Sequence, residues 1–129
     1  MVGTQNLLQT YVVLRPDHSA ARVDVTPTIW EELDRRFANF EGHLLVARFD
    51  FEADWPSWEM HPAGDEVVVL LSGAADMVLD LAGQHQVTSL AQPGSFVLVP
   101  RGTWHTARIS QRTSMLFVTP GQGTENKPA

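Results

Sequence analysis

The chain has 129 residues, of which 43% are hydrophobic and 19% charged, a balance too apolar for a disordered chain and too polar for a membrane-spanning one. Nine Lys and Arg against fifteen Asp and Glu leave a formal charge of −6; a single lysine, Lys127, and scattered arginines offer no basic face for nucleic acid. No cysteine is present, which excludes disulfides, thiolate metal sites and cysteine nucleophiles together.

The first residues, Met1 to Asn6, carry no basic n-region, and no apolar run is long enough to cross a bilayer. A cytoplasmic protein with no membrane partner is the expectation. One helical signal follows over residues 28–40, where Ile29, Leu33, Phe37 and Phe40 recur at three- and four-residue steps. Thr28 with Glu31 has the pattern of a capping box, and Gly42 follows as a stop. This helix is expected to cover an edge or end of the fold.

Most of the remaining chain alternates with period two. Leu45, Ala47, Phe49 and Phe51 oppose Arg48, Asp50 and Glu52; Met77, Leu79 and Leu81 oppose Asp76 and Asp80. Short apolar runs at 7–14, 66–71, 96–99 and 113–119 are separated by turn signals such as Ser72-Gly73, Gln92-Pro93-Gly94 and Pro100-Arg101-Gly102. Many short strands at this spacing predict an all-β sandwich, jelly roll or barrel. The pattern predicts one domain over residues 1–120. Residues 121–129 hold two glycines, a proline and no large apolar side chain, and read as a flexible tail.

Two of the five histidines have informative neighbourhoods. Glu59 and His61 are two apart, so on a strand both project to one face. The turn Pro62-Ala63-Gly64 then leads to Glu66, which opens an apolar strand, a poor place for a carboxylate unless something cationic meets it. In the second neighbourhood, Gly94 precedes a strand, the Pro100-Arg101-Gly102 turn and then His105. Asp65 reads as turn polarity, Arg101 as exposed, and Trp58 and Trp104 as core or rim packing. His18, His43 and His85 have no partner pattern.

At these residues the chain resembles the cupin superfamily. His61 is followed after four residues by Glu66 and after six more by Gly73, matching the end of the first cupin motif. Gly94, Pro100, Gly102 and His105 match the second motif at every spacing. The two motifs span Ala53 to Ile109, a little under half the chain, with Ala53 and Ile109 standing where the motifs carry glycine and asparagine. Glu59 stands where the first motif has its first histidine. The resemblance implies a double-stranded β-helix, or jelly-roll barrel, of the small single-domain kind, commonly a homodimer. It also implies a metal site, here composed of Glu59, His61, Glu66 and His105. A carboxylate in place of an imidazole suits divalent Fe, Mn, Zn or Ni without selecting among them. Glu59 is either the fourth ligand, a free general base beside the metal, or an acid that only lines the pocket.

The expected function is therefore a metal-dependent enzyme, dioxygenase- or isomerase-like, acting on a small molecule inside the barrel. Phe49, Phe51, Met77, Leu79 and Met115 are its expected apolar lining, and a partly apolar molecule or organic acid its expected substrate. A non-catalytic binding or sensing module, with or without metal, is the alternative.

Overall fold

The computed structural model describes residues 3–129. Strands β1 (Thr10–Leu14) and β2 (Ala20–Asp24) precede helix α1 (Ile29–Arg36). Nine strands follow: β3 (Leu44–Phe51), β4 (Ser57–Met60), β5 (Glu66–Ser72), β6 (Ala75–Leu81), β7 (Gln84–Leu90), β8 (Phe96–Val99), β9 (His105–Arg108), β10 (Thr113–Thr119) and β11 (Glu125–Pro128). They form two antiparallel sheets, one ordered β2-β1-β3-β10-β5-β8 and the other β11-β4-β9-β6-β7. No helix among the described residues is long and apolar enough to cross a membrane.

The alternation read from the sequence sets the faces. Val68, Leu70, Met77, Leu79, Met115 and Phe117 point between the sheets and form one buried cluster. A side chain of this size contributes about 1.5–3 kcal/mol when fully buried. A second cluster joins α1 to the first three strands through Ile29, Leu33, Phe37, Phe40, Tyr11, Val13 and Leu45. The helix thus covers one end of the barrel, as the 28–40 pattern requires.

Its details differ from the expectation. Thr28 is the N-cap residue, but its side chain makes no capping bond; its hydroxyl stands 3.5 Å from that of Thr26. The helix ends at Arg36, and Ala38, Asn39 and Phe40 follow with φ of 52°, 54° and 62°. This left-handed turn costs about 1–2 kcal/mol per non-glycine residue, yet returns Phe40 to the core at an edge-on contact with Phe37. The apolar spacing is satisfied by turn and helix alike, so periodicity could not tell them apart.

The last nine residues do not form the expected free tail. Glu125–Pro128 is strand β11, paired with β4 from Met60 to Ser57. Its side chains are exposed, which is why hydropathy gives no sign of it. Strand β7, with only Leu90 buried, was hidden for the same reason. Polar edges of this kind protect a sheet from pairing with other chains.

Candidate metal centre

The four residues singled out by spacing meet inside the barrel. Glu59 on β4 is the direct register partner of His105 on β9, so their side chains share one face. His61 lies just past the end of β4 and two residues from Glu59. Glu66 opens β5 in the opposite sheet and faces them across the interior. The ligand atoms of Glu59, His61 and His105 lie within 4.8 Å of one another. Glu66 stands between the imidazoles, with Oε2 3.2 Å from His61 Nε2 and Oε1 3.1 Å from His105 Nε2. Glu59 Oε2 is 3.8 Å from His61 Nε2.

Two turns hold this arrangement. Gly102 N donates to His61 O at 3.0 Å, and Arg101 N donates to the Asp65 carboxylate at 2.7 Å. Asp65, which read as turn polarity, thus fastens the Pro62–Gly64 turn to the Pro100–Gly102 turn. The glycine that ends the first motif is also dictated by space. At Gly73, with φ of 82°, a Cβ would stand 2.4 Å from Arg112 O.

The hydrogen bonds fix the imidazole tautomers. Thr124 Oγ1 donates to Gly121 O at 2.9 Å, so it accepts from His61 Nδ1–H at 2.8 Å. His105 Nδ1–H donates to Thr103 O at 3.0 Å. Each ring, when neutral, then carries its lone pair on Nε2, and both Nε2 atoms point at Glu66. Among the described residues, His61 Nε2, His105 Nε2 and Glu66 Oε1 are buried without a hydrogen-bond partner. With both rings neutral, these three acceptors face one another and repel unless a proton or a metal ion lies among them. This donor set fits a divalent ion. Thr119 Oγ1 donates to Glu66 Oε2 at 2.6 Å and orients that carboxylate.

Electrostatics divides the two carboxylates. Burial pushes Glu66 up, but the two adjacent imidazoles outweigh it and hold the carboxyl at about 2. Burial, followed by the Glu66 charge, pushes Glu59 above its ordinary value. Burial opposes protonation of His105, but the Glu66 carboxylate overcomes it and raises the imidazole. Glu59, also the most exposed of the four, has the character of a group able to exchange a proton.

The centre opens into a cavity of about 1040 Å³ reached past α1. Phe49 and Phe51 line it as expected; Met77, Leu79 and Met115 are instead enclosed in the core between the sheets. Trp30, Phe40, Trp55 and Phe117 also line the cavity. Trp30 was legible only as a helix residue, and Trp55 carried no local signal. Thr124 was missed altogether because it lies in the segment read as a tail. His43 and His85 pack against Phe37 and Trp58 respectively, away from the centre, and Trp104 lies beneath Lys127.

No family model and no curated protein matches the sequence. Solved structures do match the fold. An oxalate oxidase superposes with a TM-score of 0.54 at 16% identity, covering 63% of this chain and 44% of its own. A cupin-2 domain protein from Shewanella frigidimarina gives 0.51 at 19% identity, over 60% of this chain and 70% of its own. Bacillus subtilis oxalate decarboxylase, described for its Mn(II) centres, gives 0.53 at 18%, over 66% of this chain and 23% of its own. The chain therefore spans less than half the length of the two oxalate enzymes. Two antiparallel sheets, one covering helix and this likeness together give the chain the cupin jelly-roll fold.

Proposed function

We propose that the protein is a metal-dependent cupin acting on a small molecule in the cavity, with Glu59, His61, Glu66 and His105 holding one divalent ion. The observation that carries this reading is the pair of Nδ1 hydrogen bonds that leaves both Nε2 lone pairs aimed at Glu66. A bound Fe, Mn, Zn or Ni ion would supply Lewis acidity or an oxygen-binding centre, as dioxygenase- or isomerase-like chemistry needs. The chain's own residues do the rest. Thr119 and Thr124 orient Glu66 and His61, the aromatic walls exclude water, and Glu59 accepts or returns a proton at its carboxylate.

A second reading, a ligand-binding module without metal, has one observation in its favour. Glu66 already touches both imidazoles, so a protonated histidine beside it would also neutralise the cluster. Elemental analysis of untagged protein, His61→Ala and Glu59→Ala separates the two. About one ion per chain, lost in His61→Ala, supports the metal centre, and the Glu59→Ala sample tells whether that carboxylate is a ligand. Turnover that disappears on chelation and returns with one metal supports the enzyme. No metal after reconstitution sinks the metal centre and the metal-dependent enzyme, and leaves the metal-free module.

We also propose that the protein is a homodimer. Phe96 and Leu98, 58% and 57% exposed on the edge strand β8, form an apolar edge of the kind a second copy covers.

A further inference from the structure

We propose that the cavity takes an organic cation whose opposite end carries a hydrogen-bond acceptor. The inference rests on the cavity being the small-molecule site described above, and it names the class of molecule.

The first ground is charge. Asp34, Asp50, Glu52, Asp54, Glu59 and Glu66 line the cavity, and among the described residues no lysine or arginine does. Two arginines behind the wall offset part of this. Arg48 Nε lies 3.2 Å from Asp50, and Arg112 stands 3.8 Å from both Asp50 and Glu52. A divalent ion would offset Glu59 and Glu66. Asp34 and Asp54 are left over: among the described residues neither has a cationic side chain within ion-pair distance, and Asp54 accepts the Ile109 N–H at 2.7 Å. An anion would enter against this field and a cation with it.

The second ground is an aromatic path from the mouth to the centre. Trp30, 55% exposed, lies 6.3 Å from Phe49 between ring centroids; Phe49 lies 6.3 Å from Phe51, and Phe51 5.4 Å from Trp55. Trp55 in turn stands 6.1 Å from the His105 ring. Aromatic rings beside carboxylates attract alkylammonium groups, through the ring quadrupole and direct charge together.

The third ground is at the floor. Trp55 is 8% exposed and its Nε1–H is buried with no hydrogen-bond partner. Trp55 lines the cavity and its indole nitrogen only donates, so an acceptor carried by the ligand would satisfy it. Carboxylates and exposed Trp30 at the mouth, with the donor and metal ligands at the floor, order the molecule: cationic end outward, acceptor end inward. The volume exceeds what a two-carbon diacid would fill, and the wall lacks the arginine that such a dianion would call for.

Calorimetric titration with choline tests this. Its comparison molecules are the uncharged isostere, with tert-butyl in place of trimethylammonium, and the carboxylate of the same carbon skeleton. Metal content is measured on every sample. Choline should bind about tenfold tighter than the uncharged isostere, and the carboxylate weakest. Asp34→Asn and Asp54→Asn should each weaken choline about threefold without affecting the uncharged alcohol. Trp55→Phe, which keeps a ring but loses the N–H, should weaken choline more than tetramethylammonium, which has no acceptor. Equal or tighter binding of the uncharged or anionic molecule, or no binding of choline, overturns the proposal. Cation preference in protein that binds no metal would instead sink the metal centre and leave this inference standing.

Discussion

Replacing Thr124 with valine keeps the branched shape and removes one hydroxyl. In the wild type that hydroxyl accepts the His61 Nδ1–H at 2.8 Å while donating to Gly121 O at 2.9 Å. Without it, a donor on a ring only 5% exposed has no partner, a penalty of about 1–3 kcal/mol. The ring escapes by moving its proton to Nε2, which then points at Glu66 Oε2, 3.2 Å away. That tautomer suits the metal-free protein and leaves its lone pair on Nδ1, turned away from the metal site. Metal affinity should therefore fall about 10- to 100-fold, or about 1.4–2.7 kcal/mol, while the metal-free melting temperature changes little. Thr124→Ser, which restores the hydroxyl, should recover most of the affinity. Competition with a chelator of known strength measures the first effect and thermal unfolding the second. Wild-type affinity in Thr124→Val, or equal loss in valine and serine variants, would refute the tautomer argument.

The metal-free protein should be most stable between about pH 4.5 and 6.5. Glu66, held at about 2 against an ordinary 4.5, contributes fully above pH 4.5 and loses its contribution as pH falls through about 2. His105, raised above 6.5, contributes fully below that value and loses its contribution as pH rises through its folded value. Thermal unfolding at stepped pH should show this maximum, and Glu66→Gln should flatten it; a steady rise through pH 8 would contradict it. Gly73→Ala should cost about 3 kcal/mol in urea unfolding, because its Cβ meets Arg112 O and Thr113 Oγ1 at a positive φ. Sedimentation should find a dimer that Phe96→Glu with Leu98→Glu converts to monomer; a dimer unchanged by the pair would place the interface elsewhere.

The interior of the barrel was legible because its residues obey a period. Leu45 to Phe51 and Met77 to Leu81 alternate, and the structure places their apolar faces inward. His61, Glu66 and His105 were legible through spacing around turns, since Pro62-Ala63-Gly64 and Pro100-Arg101-Gly102 leave few ways for the chain to pass. What escaped notice has no pattern of its own. Thr124 matters only because β11 pairs with β4 and carries a hydroxyl to His61. Trp55 sits in a loop and becomes cavity wall through contacts with nearby Phe51 and with Phe117, which is distant in sequence. Asp65 looked like any turn acid until the turn it braces came alongside. These are tertiary facts, and local periodicity does not encode them.

The position of Trp55 gives the protein an optical property. Its indole ring lies edge-on to the His105 ring, close enough for an ion held on Nε2 to act on its excited state. Open-shell ions such as Mn(II), Fe(II) and Ni(II) drain that state, whereas filled-shell Zn(II) leaves it bright. If the centre holds a metal, blue-shifted emission from this buried ring would separate zinc from the open-shell ions in a cuvette, with no dye attached. Trp30, wet and far along the same row of rings, emits to the red and answers to the cavity mouth. Trp58 and Trp104 emit as well, so one emission spectrum would read both ends of the cavity once those two are replaced by phenylalanine.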